Sequence, residues 1–270
     1  MKMGAMMAQQ MILRGFVNTP KGQIHYAEAG QGEPVLLLHQ TPRSWTEYRE
    51  VLPILGQRYR AIAMDTVGFG DSYRTSEKAS IEHYAAGVID FLDAMEIKRT
   101  SLVGHHTGGA IAVELAATWP QRVNKLILSS CPYTDEEDRE IRKTRPPIDD
   151  VAFSPDGSHL IELWNKRRAF YPQDRPDLIA SFVLDALTVL DRIEEGHNAV
   201  NRYKMEEKTR LITAPTLIMT GTEDPASYPR MEPLSKAIRG SVSVEVKGGM
   251  VPMPEQMPEI FSQCVIDFLG

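Results

Sequence analysis

In the stretch LVGHHTGGA, residues 102–110, an apolar run passes directly into small residues, and Gly104 and Gly108 bracket His106. A Gly-x-Nuc-x-Gly turn between a strand and a helix holds its central residue at strained backbone angles and presents that side chain at the end of the sheet. The central position normally carries serine, cysteine or aspartate; here it carries an imidazole. Imidazole titrates near neutrality, so it suits the role of general base, and it can also attack a carbonyl to give an acyl-imidazole. The first amides of the following helix point at the same spot, which makes the Thr107 N–H a donor for an oxyanion. His39, His105 and His106 also raise a metal reading, but adjacent residues at a sharp turn seldom converge on one ion and no ligand-spaced motif supports it, so no metal is expected. His25, His83, His159 and His197 have no motif context and are expected to be ordinary core or surface residues.

Such a turn needs a parallel sheet to carry it, and the chain supplies strand-like apolar runs alternating with helix-period segments. MILRGFVNT (11–19) and QIHYAEAG (23–30) flank the turn signal Thr19-Pro20-Lys21-Gly22 and predict a hairpin. PVLLLH (34–39), YRAIAMD (59–65), TSLVGH (100–105) and VNKLILSS (123–130) predict buried strands, with helices over 45–55, 81–95 and 107–118. From 132 to 210 the pattern changes to charged helical segments, including HLIELWNKRRAF and LIASFVLDALTVLDRI, without a strand-like run. The sheet resumes with APTLIMTGTED (214–224), a helix near 228–238, VSVEV (242–246) and a closing helix over 255–269. The division expected is a core of residues 1–131 and 211–270, with a helical cap at 132–210 inserted between its two parts.

At 270 residues, 42% hydrophobic and 24% charged, the chain is long enough for one full-sized α/β domain that needs no disulfides. A formal charge of −6 gives no overall basic field for nucleic acid or an anionic membrane, so a small-molecule substrate is expected. Cys131 and Cys264 lie far apart in apolar elements and read as buried thiols in a reducing, cytoplasmic compartment. The opening MKMGAMMAQQM is too weakly apolar for a secretory signal and reads as a flexible start, and no stretch approaches membrane-spanning length. A monomer and a homodimer are both compatible with the sequence.

Several motifs, in this order, resemble the α/β-hydrolase superfamily, in particular its cap-bearing esterase, epoxide hydrolase, dehalogenase and carbon–carbon hydrolase branch. His39-Gln40-Thr41-Pro42 is similar to the His-Gly-x-Pro loop after the third strand, and DTVGFGDS (65–72) to the Asp-x-x-Gly-x-Gly-x-Ser loop. Residues 102–109 match the nucleophile elbow, TGTEDP (220–225) the loop of the catalytic acid, and KGGMVPMPEQMPE (247–259) the segment of the catalytic histidine. The resemblance covers nearly the whole chain. It implies an α/β-hydrolase fold: a mostly parallel eight-stranded sheet flanked by helices, with an inserted helical cap and no cofactor. It also implies that Asp224 is the acid, that the Thr41 N–H joins that of Thr107 in an oxyanion hole, and that His39 is structural. Asp135 is the runner-up acid.

The departures change the chemistry. Met250 stands where the family's histidine would be, His106 replaces the nucleophile, and Gln40 replaces the glycine of the oxyanion loop. In the usual triad the imidazole bridges acid and nucleophile. A histidine at the elbow fills the same gap from the opposite side, so the expectation is a His106–Asp224 dyad acting as general base on an ester, lactone or C–C bond. The alternatives are a lyase, isomerase or cyclase using the same dyad, and a silent ligand-binding protein. Gln40, Arg43, His105, Trp164 and Met250 make up the expected substrate-binding set, although His105 also suits a packing or supporting role and Arg43 an ordinary surface position. Trp164, Arg167, Arg168, Phe170 and Tyr171 form an aromatic and basic cluster; facing solvent it is an amphipathic helix face, and facing the elbow it selects an anionic or aromatic substrate.

Overall fold

The computed structural model describes residues 10–270, so the stretch from Met1 to Gln9, most of the segment read as a flexible start, lies outside the described residues. Strands β1 (Leu13–Thr19) and β2 (Gly22–Ala29) form the hairpin expected from Pro20-Lys21-Gly22. They are followed by β3 (Pro34–Leu38), α1 (Val51–Leu55), β4 (Arg60–Met64), α2 (Ile81–Ala94), β5 (Thr100–His105), α3 (Thr107–Thr118) and β6 (Val123–Ser129). Five helices then intervene before β7: α4 (Glu136–Arg142), α5 (Ser158–Arg167), α6 (Pro176–Leu187), α7 (Glu195–Arg202) and α8 (Met205–Thr209). The chain closes with β7 (Thr216–Gly221), α9 (Met231–Ala237), β8 (Val242–Val246), α10 (Met253–Gln256) and α11 (Pro258–Leu269).

The sheet runs β1-β2-β4-β3-β5-β6-β7-β8, parallel from β4 to β8 and antiparallel where β2 meets β1 and β4. Its central strands are apolar throughout because both faces are covered. Alternate residues of β3 serve opposite faces: Leu36 and Leu38 pack with Val88, Phe91 and Ile111 under α2 and α3. Val35 and Leu37 pack with Leu52, Phe261 and Val265 under α1 and α11. The segment between β6 and β7 has an apolar cluster of its own, including Leu163, Tyr171, Phe182 and Ile193.

Two expected helices are interrupted. Residues 45–55 divide into a 3-10 turn, Trp45–Tyr48, and α1. The closing helix breaks ahead of Pro258, whose ring cannot continue a helix but suits its first turn, giving α10 and α11. Cys131 is buried and Cys264 half-buried, both as free thiols. No helix among the described residues is long and apolar enough to cross a membrane.

The glycines of the elbow are explained by contact. A Cβ on Gly108 would lie 1.9 Å from the Leu38 carbonyl oxygen, and one on Gly104 would lie 2.3 Å from that of Gly108. Helix α3 therefore starts with its backbone directly against β3 and β5, where no side chain fits. Gly108→Ala is expected to cost about 3 kcal/mol or more through overpacking, read from urea denaturation, and an unchanged midpoint would refute this account of the junction.

Candidate active site

His106 sits between the last residue of β5 and the first of α3 at φ 47° and ψ −114°, a conformation that L-residues rarely adopt. Its N–H donates to the Ser129 carbonyl at 3.0 Å, and its own carbonyl accepts from Gly109 at 2.8 Å, so the flanking backbone holds the strained turn in place. The ring points across the end of the sheet to the loop after β7. There Nε2 lies 2.8 Å from Asp224 Oδ2, within ion-pair distance. The N–H is not aimed along that line, so neither atom has a well-aligned hydrogen-bond partner. Nδ1 has no protein partner among the described residues, and the ring lines a cavity.

Asp224 is fully buried, and its Oδ1 accepts the N–H groups of Ala226 at 3.0 Å and Ser227 at 3.1 Å. Burial alone would push its carboxyl up; the His106 imidazole beside it outweighs that and, with the Ser227 amide, holds it at about 2. His105 lies beneath, its ring edge-on to that of His106 with centroids 4.7 Å apart. Its Nε2 faces the Val251 carbonyl at 2.8 Å and its Nδ1 the Ser129 hydroxyl at 2.9 Å. A carbonyl only accepts, so Nε2 carries the proton and Nδ1 takes the hydroxyl's. Burial, and next the neighbouring His106, depress His105 to about 3, which keeps it neutral. His105 is thus a fully buried floor beneath His106 and not a surface for substrate.

The cavity at His106 has a volume of about 240 Å³ and is walled on the sheet side by Gln40, Thr41, Thr107 and Val251. The Thr41 and Thr107 hydroxyls meet at 2.9 Å, tying the loop after β3 to the start of α3. Gln40 is held from behind: its Nε2 and backbone N–H donate to the two oxygens of buried Glu47 at 2.5 Å and 2.9 Å. Burial raises the Glu47 carboxyl to about 8. Over Thr41 lies α7, whose Gly196 is so close that a Cβ there would fall 2.0 Å from the Thr41 hydroxyl. The helical segment adds Arg142, Arg145, Arg167, Phe170 and His197 to the wall.

Other expected site residues lie elsewhere. Arg43 is fully buried and faces away from the cavity, with its two terminal nitrogens on Glu255 at 2.5 Å and 2.8 Å and its Nε on Asp185 at 2.8 Å. Ser44 and Thr46 also bond Asp185, so this one carboxylate of α6 fastens the helical segment to the loop after β3. Trp164 packs against the apolar cluster of the helical segment instead of lining the cavity. Met250 donates its N–H to Gln256 at 2.7 Å, and the next residue, Val251, takes the place at the cavity. Of the aromatic and basic cluster, only Arg167 and Phe170 reach the cavity, and Arg167 is engaged by Asp149. Asp135 caps α4 and pairs with Arg230, away from His106.

Among the histidines expected to be structural or ordinary, His39 uses both nitrogens, on the Gln40 carbonyl and the Thr66 N–H. His25 is a buried partner of Asp65 at 2.8 Å. His197 lines the cavity and contacts Asp149 at 2.9 Å, a placement no local pattern announces because its partner is distant in sequence.

The fold and the elbow together place the chain: it belongs to the alpha/beta hydrolase fold family, whose model matches residues 33–249. It is 36% identical over 123 residues to a 2-hydroxy-6-oxo-2,4-heptadienoate hydrolase of Pseudomonas putida, a match covering 44% of this chain and 43% of that one, less than half of either. A haloalkane dehalogenase 2 of Mycobacterium bovis is 25% identical over 94% of this chain and 93% of its own. The enol-lactonase of Burkholderia xenovorans LB400 superposes with a TM-score of 0.77 at 19% identity, over 94% of this chain and 99% of that one.

Two outcomes follow from these charges. A carboxyl held at about 2 in the fold, below its ordinary 3.8, contributes stability that is complete above its unfolded value and is lost as pH falls through its folded one. Asp224→Asn should therefore lose less stability than wild type between about pH 5 and about pH 2, and parallel acid-denaturation curves would contradict the pairing. Arg43→Ala leaves Glu255 buried and unpaired and should cost about 3–5 kcal/mol in urea denaturation; a loss typical of an exposed arginine would refute its buried role.

Proposed function

We propose that this protein is a hydrolase of a small carbonyl compound, an ester, lactone or C–C bond, that uses His106 and Asp224 in place of a Ser-His-Asp triad. The observation that carries the reading is the 2.8 Å approach of His106 Nε2 to Asp224 Oδ2, in a residue that also lines the cavity. The Asp224 carboxylate favours the tautomer protonated on Nε2, which leaves the Nδ1 lone pair as the base. Nδ1 takes a proton from water as its oxygen bonds to the substrate carbonyl, and the resulting oxyanion is held by the N–H groups of Thr41 and Thr107. When the tetrahedral species collapses, the imidazolium returns its proton to the departing oxygen or carbon. His105, neutral and bonded on both sides, keeps the His106 ring upright through edge-to-face contact. Residues 132–210 serve as the cap over this site. The hydrolase names of several relatives support the same class of reaction.

The test is turnover of activated aryl esters and lactones by wild type, His106→Ala and Asp224→Asn. Both variants should lose about 10²–10⁴-fold in kcat. In ¹⁸O-labelled water the wild type should place the label in the acid product. Turnover indifferent to His106 would sink the dyad, and conversion without label would mark a lyase or isomerase.

A further inference from the structure

Immediately outside the His106 cavity lies a second, much larger basin of about 990 Å³, open to solvent and walled by the helical segment. The two share Arg142, Arg145, Ile148, Phe170 and Asn201, so the basin lies directly against the His106 cavity with these side chains between them. The basin is lined by six cationic side chains, Arg139, Arg142, Lys143, Arg145, Lys166 and Arg202. Three carboxylates, those of Glu140, Asp150 and Glu194, line it with them. In a chain of net charge −6 this reverses the prevailing sign beside the His106 cavity.

Several of these cations are already engaged. Arg139 grips Glu206, Arg142 pairs with Asp138 at 2.5 Å, Lys143 with Glu140 at 2.5 Å, and Arg202 donates to the Ala79 carbonyl. Arg145 and Lys166 have no carboxylate partner among the described residues, and Arg145 stands at the neck common to both spaces. Apart from Arg145 at that neck, the cations of the inner cavity are engaged: Arg142 pairs with Asp138 and the Arg167 guanidinium is held by Asp149. The volumes divide the same way: about 240 Å³ admits a small acyl group or ring, whereas the basin has room for a drug-sized group.

We propose that the basin is a subsite for the anionic end of the substrate, a phosphate or carboxylate on the leaving-group side, with Arg145 and Lys166 as its free charges and the reacting carbonyl beside His106. This rests on the hydrolase reading for its chemistry but not for its binding. The surrounding positive field draws such a substrate to the basin.

The experiment compares three aryl acetates that differ only in the remote ring substituent: neutral, carboxylate and phosphate. The readout is the ratio of anionic to neutral kcat/KM in wild type, Arg145→Gln, Lys166→Gln and the double variant. The wild-type ratio should be about 10- to 100-fold at low ionic strength, falling toward one in the double variant and in about 0.5 M salt. The better of the two anionic esters identifies the group. A wild-type ratio near one, or one that the double variant leaves unchanged, overturns the proposal. Should no ester turn over, calorimetric binding of phenyl phosphate and benzoate separates the two ideas. Binding by wild type that the double variant abolishes upholds the subsite while the hydrolase reading falls, and absence of binding by both compounds refutes the subsite.

Discussion

The backbone-to-backbone contact between the start of α3 and the end of β3 governs what the rest of this molecule can do. Because Gly108 rests on the Leu38 carbonyl, the chain leaving β5 must reverse within a single residue, and His106 takes the positive φ that the reversal demands. That conformation throws its side chain out over the C-terminal ends of the strands, where ligands of open α/β sheets bind. The loop after β7 presents Asp224 at the same level. The pairing is thus a product of sheet geometry: parallel strands β5, β6 and β7 bring residues more than a hundred positions apart to within bonding distance.

Around that contact the polar groups are arranged so that each has a single role. Asp224 is ionised because a neighbouring imidazole and two amides offset its burial. His105 is neutral because burial and its neighbour outweigh its two hydrogen bonds. Two adjacent histidines, chemically identical, differ in their surroundings: the ring of His105 is fully buried and bonded at both nitrogens, whereas His106 lines the cavity and its Nδ1 has no protein partner among the described residues. Arg43, Glu255 and Asp185 form a second buried charge system whose worth lies in geometry, since it joins the loop after β3, helix α10 and helix α6 at one point.

Much of this was legible in the residues. The apolar runs of the central strands, the Thr19–Gly22 turn and the glycine pair around His106 each carry a local physical cause, whereas the His106–Asp224 and Thr41–Thr107 juxtapositions were legible only through the resemblance to the α/β-hydrolase motifs. Arg43 illustrates what was not legible. Nothing near it in sequence reveals that Glu255 and Asp185, 212 and 142 positions away, would neutralise it, so an arginine in a loop reads as a surface residue. His197 and Asp149 escaped for the same reason. Met250 failed in the opposite sense, because the segment around it kept the family pattern while a one-residue difference put Val251 at the cavity instead. The side-chain directions within the helical segment, Trp164 inward and Phe170 toward the cavity, depend on how short helices stack, which amphipathic spacing alone does not decide.

The glycine of α7 above Thr41 has a further meaning. Gly196 lets a helix of the overlying segment descend until its backbone touches the hydroxyl of Thr41, leaving less than the width of one carbon atom between roof and floor. Clearance over Thr41 is therefore set by a side chain that is missing from the roof. Enlarging residue 196 would press first on Thr41 and, through its hydroxyl, on Thr107, so the gauge of the cavity is set jointly by a helix between β6 and β7 and the loop after β3.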